Sequence, residues 1–294
     1  MALNFIITPN LEAFLIMKIL ATDLDRTLLP NGSWPVDEYA IELFNEWTAK
    51  QGVLVVYVTG RNLDLTEKAI DEFGVRFPDI LCGDVGTTIR HYDNNAWSKD
   101  LGWVEHVHRM SPGWNNSAIR SALEGVDGLQ EQASEHQNEF KQSYYVDHQN
   151  HEAIMREVES LIGGKFDEVL VYSFDSSNGN GLLDVLPASA TKQTSLEYVA
   201  KVYEAGRDVV FCGDSGNDVF PLTASFLGVM VRNADEQLVK QVTKAKQNND
   251  ALEIYHSKGN FKGLNGYYVS GVLEGAYHYG VLDDSVELPS FPRK

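Results

Sequence analysis

The residues of this chain best suited to chemistry are two aspartates one residue apart, in Asp23-Leu24-Asp25-Arg26-Thr27, directly after the apolar run Lys18–Thr22. In an open α/β sheet, ligands bind outside the carboxyl ends of the strands. Two carboxylates at such an end project toward one site, and they repel each other unless a cation stands between them. A hard divalent ion with oxygen ligands, Mg2+ first among them, meets that need. Asp-x-Asp alone equally describes a solvated turn, so the reading depends on what else reaches the same sheet edge.

Three further features do. Val58-Thr59-Gly60-Arg61 closes a second apolar run, where Thr59 offers a hydroxyl and Gly60 allows backbone N–H groups to approach a phosphate. Lys192 opens a helix candidate, where its charge and the free N–H groups of a first turn can meet an anion. Gly213-Asp214-Ser215-Gly216-Asn217-Asp218 follows another apolar run and adds two carboxylates and an amide. Each has an ordinary explanation, as a turn, a surface lysine or a polar loop. Their joint placement at strand ends and a helix start argues for one site.

The elements that would position these residues are legible in outline. Lys18–Thr22, Val53–Val58, Asp208–Cys212 and Gly228–Val231 read as buried parallel strands. Helices are expected over Asp37–Lys50, with Asp37 as N-cap, over Leu63–Phe73 and over Thr191–Ala205. Strands alternating with helices predict an α/β fold with a doubly wound parallel sheet. From residue 96 to 186 the pattern changes. Phe140–Val146 alternates, with Lys141, Ser143 and Tyr145 on one face; Val169–Phe174 and Leu182–Leu186 read as further strands and Glu152–Ile162 as a helix. An α+β cap domain over 96–186 is therefore expected inside a discontinuous core of 17–95 and 187–294. Residues 1–16 read as an extension before a cleaner start at Met17.

With 24 basic and 42 acidic residues the formal charge is −18. Such a field repels phosphate backbones, so no nucleic acid is expected as partner, and an anionic substrate would need local cations. No apolar stretch approaches the roughly 18 residues that span a bilayer, so no membrane association is expected. The N-terminus makes a poor signal peptide. Two cysteines, Cys82 and Cys212, cannot staple a fold of 294 residues and suggest a reducing, cytoplasmic setting. No Gly-x4-Gly-Lys-Ser/Thr loop, His-Glu-x-x-His, Cys-x-x-Cys or Gly-x-Ser-x-Gly occurs, which disfavours Walker-type kinases, zinc sites and serine hydrolases.

The four-part constellation resembles the haloacid dehalogenase-like phosphohydrolases, whose pattern is Asp-x-Asp-x-Thr, a strand-end Thr or Ser, a Lys, and Gly-Asp-x-x-Asn-Asp. A cap between the second and third elements resembles the type IIB arrangement. Val85-Gly86 followed by Ile89, Ser143-Tyr144-Tyr145-Val146-Asp147, Asp184-Val185-Leu186-Pro187, Cys212 to Asp218 and Val231-Arg232-Asn233-Ala234 are similar to the sucrose-6-phosphate phosphatase family. The resemblance implies a Mg2+-dependent hydrolase acting on a sugar phosphate, sucrose 6-phosphate first. Asp23 would be the nucleophile that carries an aspartyl-phosphate, and Asp25 the acid and then the base. Mg2+ would be held by Asp23, the Asp25 carbonyl and Asp214. Thr59, Gly60, Lys192 and Asn217 would hold the phosphoryl oxygens, and Asp218 would orient Lys192 or a metal-bound water. The family also implies an upstream glycosyltransferase, a sugar-phosphate synthase, as partner in metabolism.

Two departures are visible. Thr87-Thr88 stand where the family commonly has a glutamate, which puts the sugar in doubt, and Gln193 replaces a glycine after the lysine. Arg61, Thr87, Thr88, Lys141 and Tyr145 are candidate substrate contacts, and Trp97, Trp103 and Trp114 candidate stacking faces, with packed aromatics the simpler account of the tryptophans. Other substrates fit the same machinery: mannosylfructose phosphate, glucosylglycerol phosphate or an aminosugar phosphate. A phosphomutase remains a second enzymatic alternative. A non-catalytic receiver or binding module shares clustered aspartates and a lysine, but needs neither a cap nor a carboxylate at position 25.

Overall fold

The computed structural model describes residues 17–175 and 179–283; the extension expected over residues 1–16 lies outside the described residues. The chain first forms β1 (Ile19–Thr22), α1 (Ala40–Lys50), β2 (Leu54–Val58), α2 (Leu63–Phe73), β3 (Ile80–Gly83), β4 (Thr88–Asp93), β5 (Ala96–Lys99) and α3 (Leu101–Met110). There follow α4 (Asn116–Leu123), β6 (Leu129–Glu131), β7 (Gln142–Val146), α5 (His151–Ile162), β8 (Glu168–Asp175) and β9 (Asn180–Pro187). The last part comprises α6 (Lys192–Val202), β10 (Val209–Gly213), α7 (Val219–Leu222), β11 (Leu227–Met230), α8 (Glu236–Asn248), β12 (Ile254–His256) and α9 (Val269–His278).

Eight strands make one sheet in the order β12-β11-β10-β1-β2-β3-β4-β5, parallel from β12 to β3 and antiparallel at β4 and β5. β1 lies between β10 and β2 and is buried at every position, which is why its sequence is continuously apolar up to Thr22. Alternate residues serve opposite faces. Leu20, Val55 and Tyr57 pack with Phe44 and Trp47 of α1 and Val272 and Leu273 of α9. Ile19, Ala21, Val56 and Val58 pack with Leu196 and Val199 of α6 and Leu238 and Val242 of α8. Helices on both faces define the doubly wound core. Cys82 and Cys212 are free and buried at the ends of β3 and β10, inert packing residues.

A second, four-stranded antiparallel sheet runs β6-β7-β9-β8. Tyr144 and Val146 of β7 and Leu183 and Val185 of β9 pack on Ile119 and Leu123 of α4 and Ile154, Val158 and Ile162 of α5. The alternate residues Lys141, Ser143 and Tyr145 therefore face away from these helices. Among the described residues, no helix is long and apolar enough to cross a membrane.

Two expectations are corrected. The change of character expected at residue 96 falls later: β5 extends the large sheet and α3 packs Trp103 and Val107 into the core cluster, so the architecture changes after α3. The cause is a hairpin: Asn94 and Asn95 both have positive φ (50° and 60°), the two-residue turn that returns β5 along β4. Asp37 does not cap α1 with its side chain. Its Oδ2 instead accepts from Asn265 N at 2.8 Å and Ser270 Oγ at 2.7 Å, fastening the loop before α1 to the start of α9.

Candidate active site

Asp23 follows β1, and its N–H donates to Cys212 O at 2.9 Å, which sets the loop after β1 beside the loop after β10. Across the sheet face, Thr191 caps α6. Its hydroxyl accepts from Thr194 N, while Thr194 Oγ1 accepts from Thr191 N. This fixes Lys192 as the first helical residue with its side chain buried. Its three ammonium protons have three acceptors: Asp23 Oδ1 at 2.8 Å, Asp218 Oδ1 at 2.9 Å and Asn217 Oδ1 at 3.3 Å.

Asp218 turns its other oxygen inward and accepts from Asp214 N (3.0 Å) and Ser215 N (3.2 Å), closing the loop on itself. Asp214 Oδ1 accepts from Thr27 Oγ1 at 3.2 Å. Its Oδ2 lies 3.2 Å from Arg26 Nη2 but, among the described residues, has no aligned hydrogen bond, although it is buried. Carboxylate oxygens of Asp23, Asp214 and Asp218 fall within 4.8 Å of one another. A buried carboxylate oxygen left without a hydrogen bond, among hard oxygen donors, suits a hard divalent cation.

The electrostatics match that description. Burial pushes the Asp23 carboxyl up to about 7, Lys192 opposes the rise, and Asp218 and Asp25 add to it. Burial holds Asp214 well above the usual carboxylate range, against the pull of Arg26. Lys192 stays charged: burial works against its ammonium, and Asp218 and Asp23 outweigh that. Asp25 behaves oppositely. Burial would raise it, but the Arg61 guanidinium donates through Nε to Oδ2 (2.9 Å) and through Nη2 to Oδ1 (2.7 Å), Asn31 Nδ2 donates to Oδ1 (2.6 Å), and its carboxyl falls below the usual value.

Above this floor lies a cleft of about 560 Å3 between the two sheets. Asp23, Asp25, Gly60, Arg61 and Asn217 line it from the core, and Lys141, Tyr145, Ser143 and Asp184 from the β7–β9 side. Ser143 and Asp184 are register partners, and the hydroxyl donates to the carboxylate. Asp184 is held above the usual carboxylate range by burial, against Lys141 and Ser143. Arg26, Arg61 and Lys141 line the cleft, each in an ion pair with a carboxylate: Asp214, Asp25 and Asp84 respectively.

Some expected contacts fall elsewhere. Thr59 is fully buried, and its Oγ1 accepts from Arg61 N at 3.2 Å, which leaves its hydroxyl proton to donate. Thr87 and Thr88 do not line the cleft. Thr87 Oγ1 donates to Asp84 O and accepts from Asn138 Nδ2, and Thr88 Oγ1 donates to Asp84 Oδ2. Their hydroxyls support Asp84, whose Oδ1 pairs with Lys141 Nζ at 3.2 Å. Lys141 is thus a buried, paired lysine that bridges the two sheets. The tryptophans are packing residues: Trp97 lies by Phe77 and Tyr92, Trp103 is buried in the core, and Trp114 Nε1 donates to Glu139 O.

Sequence reasoning missed Arg26, Asn31, Gln132, His136, Ser143 and Asp184 as lining residues. The alternation of β7 already placed Ser143 beside Lys141 and Tyr145. Asp184 needed the strand register, and Gln132 and His136 sit where no periodicity marks them.

The family described as Sucrose-6F-phosphate phosphohydrolase matches residues 16–280. A HAD-like hydrolase of Nitrosococcus oceani is 33% identical over 266 residues, covering 89% of this chain and 71% of that one. A mannosylfructose-phosphate phosphatase of Agrobacterium fabrum is 28% identical, covering 90% and 98%. The chain spans about three fifths of the plant relatives, as with the 59% it covers of an Arabidopsis thaliana protein described as "Probable sucrose-phosphatase 2". The solved sucrose-phosphatase of Synechocystis, in complex with sucrose and phosphate, shares the fold with a TM-score of 0.72 at 24% identity, covering 90% and 98%.

Proposed function

Since the chain belongs to the sucrose-6F-phosphate phosphohydrolase family of phosphoric monoester hydrolases, we propose that it is a Mg2+-dependent phosphatase that hydrolyses a sugar phosphate through an aspartyl-phosphate on Asp23, with sucrose 6-phosphate the first substrate. The observation that carries the reading is the buried Lys192 ammonium shared by Asp23, Asn217 and Asp218 at the floor of a cleft of disaccharide scale.

Phosphoryl transfer needs in-line positioning and neutralised oxygens more than covalent help. Lys192, the Asn217 amide, the Thr59 hydroxyl and the backbone at Gly60 hold the phosphoryl oxygens. Asp23, pinned by Lys192 through one oxygen, attacks phosphorus with the other. Asp25 gives its proton to the departing sugar oxygen and then takes one from the water that cleaves the aspartyl-phosphate. The grip of Arg61 keeps Asp25 ionised and ready for the second step, so delivery of the first proton requires that grip to loosen when substrate arrives. Asp23, Asp214 and the Asp25 carbonyl would hold Mg2+, which when bound neutralises charge on the phosphoryl group. Asp218 positions Lys192.

The inserted unit that follows α3 and reaches the cleft through β7 to β9 is the proposed specificity cap. Ser143, Asp184 and Tyr145 present hydroxyl and carboxylate groups to the leaving sugar. A mannosylfructose phosphate is the second reading, favoured by the near-complete coverage of the Agrobacterium relative. A glycosyltransferase that makes the phosphorylated sugar is the proposed upstream partner.

The test is phosphate release from sucrose 6-phosphate, mannosylfructose phosphate and other sugar phosphates with Mg2+, beside Asp23→Asn and chelator controls. Release from sucrose 6-phosphate that is lost in both controls supports the reading. Release from another sugar moves the substrate and keeps the mechanism. An isomeric sugar phosphate without free phosphate would point to a mutase and sink the hydrolase.

A further inference from the structure

Arg26 adopts a conformation that side chains avoid: its φ is +57°. Two asparagines hold it there. Asn31 Oδ1 accepts from Arg26 N at 2.7 Å, and Asn233 Nδ2 donates to Arg26 O at 2.6 Å. Asn233 is itself buried, and its Oδ1 accepts from the N–H of Tyr268, another residue with positive φ (+51°). The braced turn carries the Arg26 guanidinium to within 3.2 Å of Asp214 Oδ2.

Asp214 needs such a partner. It is buried, its Oδ1 takes the neutral hydroxyl of Thr27, and Lys192 is committed to Asp23, Asn217 and Asp218. Among the described residues, Arg26 is its ion-pair partner. The Arg26 side chain is 39% exposed while that of Asp214 is 2% exposed, so the arginine can swing into the cleft it lines without stranding a buried charge of its own.

We propose that Arg26 is a built-in counter-ion of Asp214, a guanidinium that a divalent cation entering the Asp23–Asp214–Asp218 cluster must displace, so that the chain carries its own competitor for the metal. The inference rests on the reading of that cluster as a divalent-cation site. A dication and a guanidinium on one carboxylate oxygen repel strongly at short range in a buried setting. The dication has the greater charge and the stronger demand for oxygen ligands, so the guanidinium is the group that leaves. The metal-free protein thereby keeps its acidic cluster neutralised, and the metal binds less tightly than the carboxylates alone would hold it.

The test is calorimetric titration of Mg2+ alone, without substrate, into the wild type, Arg26→Gln and Arg26→Gly, with melting curves of each with and without Mg2+. Glutamine removes the charge and keeps the left-handed strain; glycine removes both. Both variants are expected to bind Mg2+ about fivefold more tightly than the wild type. Metal-free Arg26→Gln should melt lower than the wild type and regain the difference when Mg2+ is added. Equal or weaker binding in both variants overturns the proposal. Tightening in Arg26→Gly alone also overturns it, because the effect then belongs to the backbone. If none of the three proteins binds Mg2+, the divalent-cation reading fails and the proposal fails with it.

Discussion

The Lys192 ammonium stands 2.8 Å from Oδ1 of Asp23, and both side chains are shut away from solvent. Removing the lysine leaves Asp23 and Asp218 as unpaired buried carboxylates. Lys192→Met is therefore expected to cost about 3–5 kcal/mol of stability and to lower kcat by roughly a hundredfold or more, as loss of a positioned charge does. Denaturant unfolding and phosphate release check the two effects. A variant as stable as the wild type would contradict the buried pairing.

Arg61 governs the protonation of Asp25. The guanidinium holds that carboxyl below its ordinary value, against the effect of burial. In Arg61→Gln the Asp25 pKa rises, so the base that activates water is lost at a higher pH. The acidic limb of the pH–rate profile should move upward, most visibly in kcat. An unmoved limb would detach Arg61 from that role.

Asp23 links metal binding to pH. Its carboxyl rises from 3.8 to about 7 in the metal-free fold. Between those values the folded protein holds a proton that the unfolded chain has released, so metal-free stability falls as pH climbs through this window and levels off above it. A metal needs the deprotonated carboxylate. The rise in Tm on adding Mg2+ should accordingly be larger at about pH 8 than at about pH 5.5. Equal shifts at both would remove Asp23 from the metal site.

Gly86 sets the start of α6. Its φ is +93°, and a Cβ there would lie 2.2 Å from Thr191 O and 2.6 Å from Lys192 N. Gly86→Ala should cost about 3 kcal/mol or more and lower kcat by shifting Lys192. Gly52, at φ +60° with nothing within 4 Å of its added Cβ, is the control. Gly52→Ala should cost about 1 kcal/mol and leave kcat unchanged. If the two alanine variants behave alike, the contact between Gly86 and α6 carries no function.

Most of the floor of the site was legible because it hangs on local rules. Asp23, Gly60, Lys192 and Asp214 follow buried strands or open a capped helix, and those elements announce themselves by apolar runs and caps. The β7 alternation likewise placed Lys141 and Tyr145 on one face. What escaped depends on long-range pairing. The neutralisation of Lys141 by Asp84, the meeting of Ser143 with Asp184 and the diversion of Thr87 and Thr88 into support for Asp84 all arise from register and from contact between the sheets. The Asn94-Asn95 turn is a local signal, and it moves the boundary of the inserted unit by returning β5 along β4. Backbone strain at Arg26 has no sequence signature at all.

The central claim is that phosphate passes through Asp23. It is tested most directly by mixing Asp25→Asn with Mg2+ and an aryl phosphate whose leaving group departs without a proton from residue 25, quenching in acid and mapping the phosphorylated peptide. The account predicts a phosphoryl group on Asp23, accumulating because the base that cleaves it is gone, and none in Asp23→Asn. Phosphate on another residue, or turnover by Asp23→Asn at the wild-type rate, would contradict it.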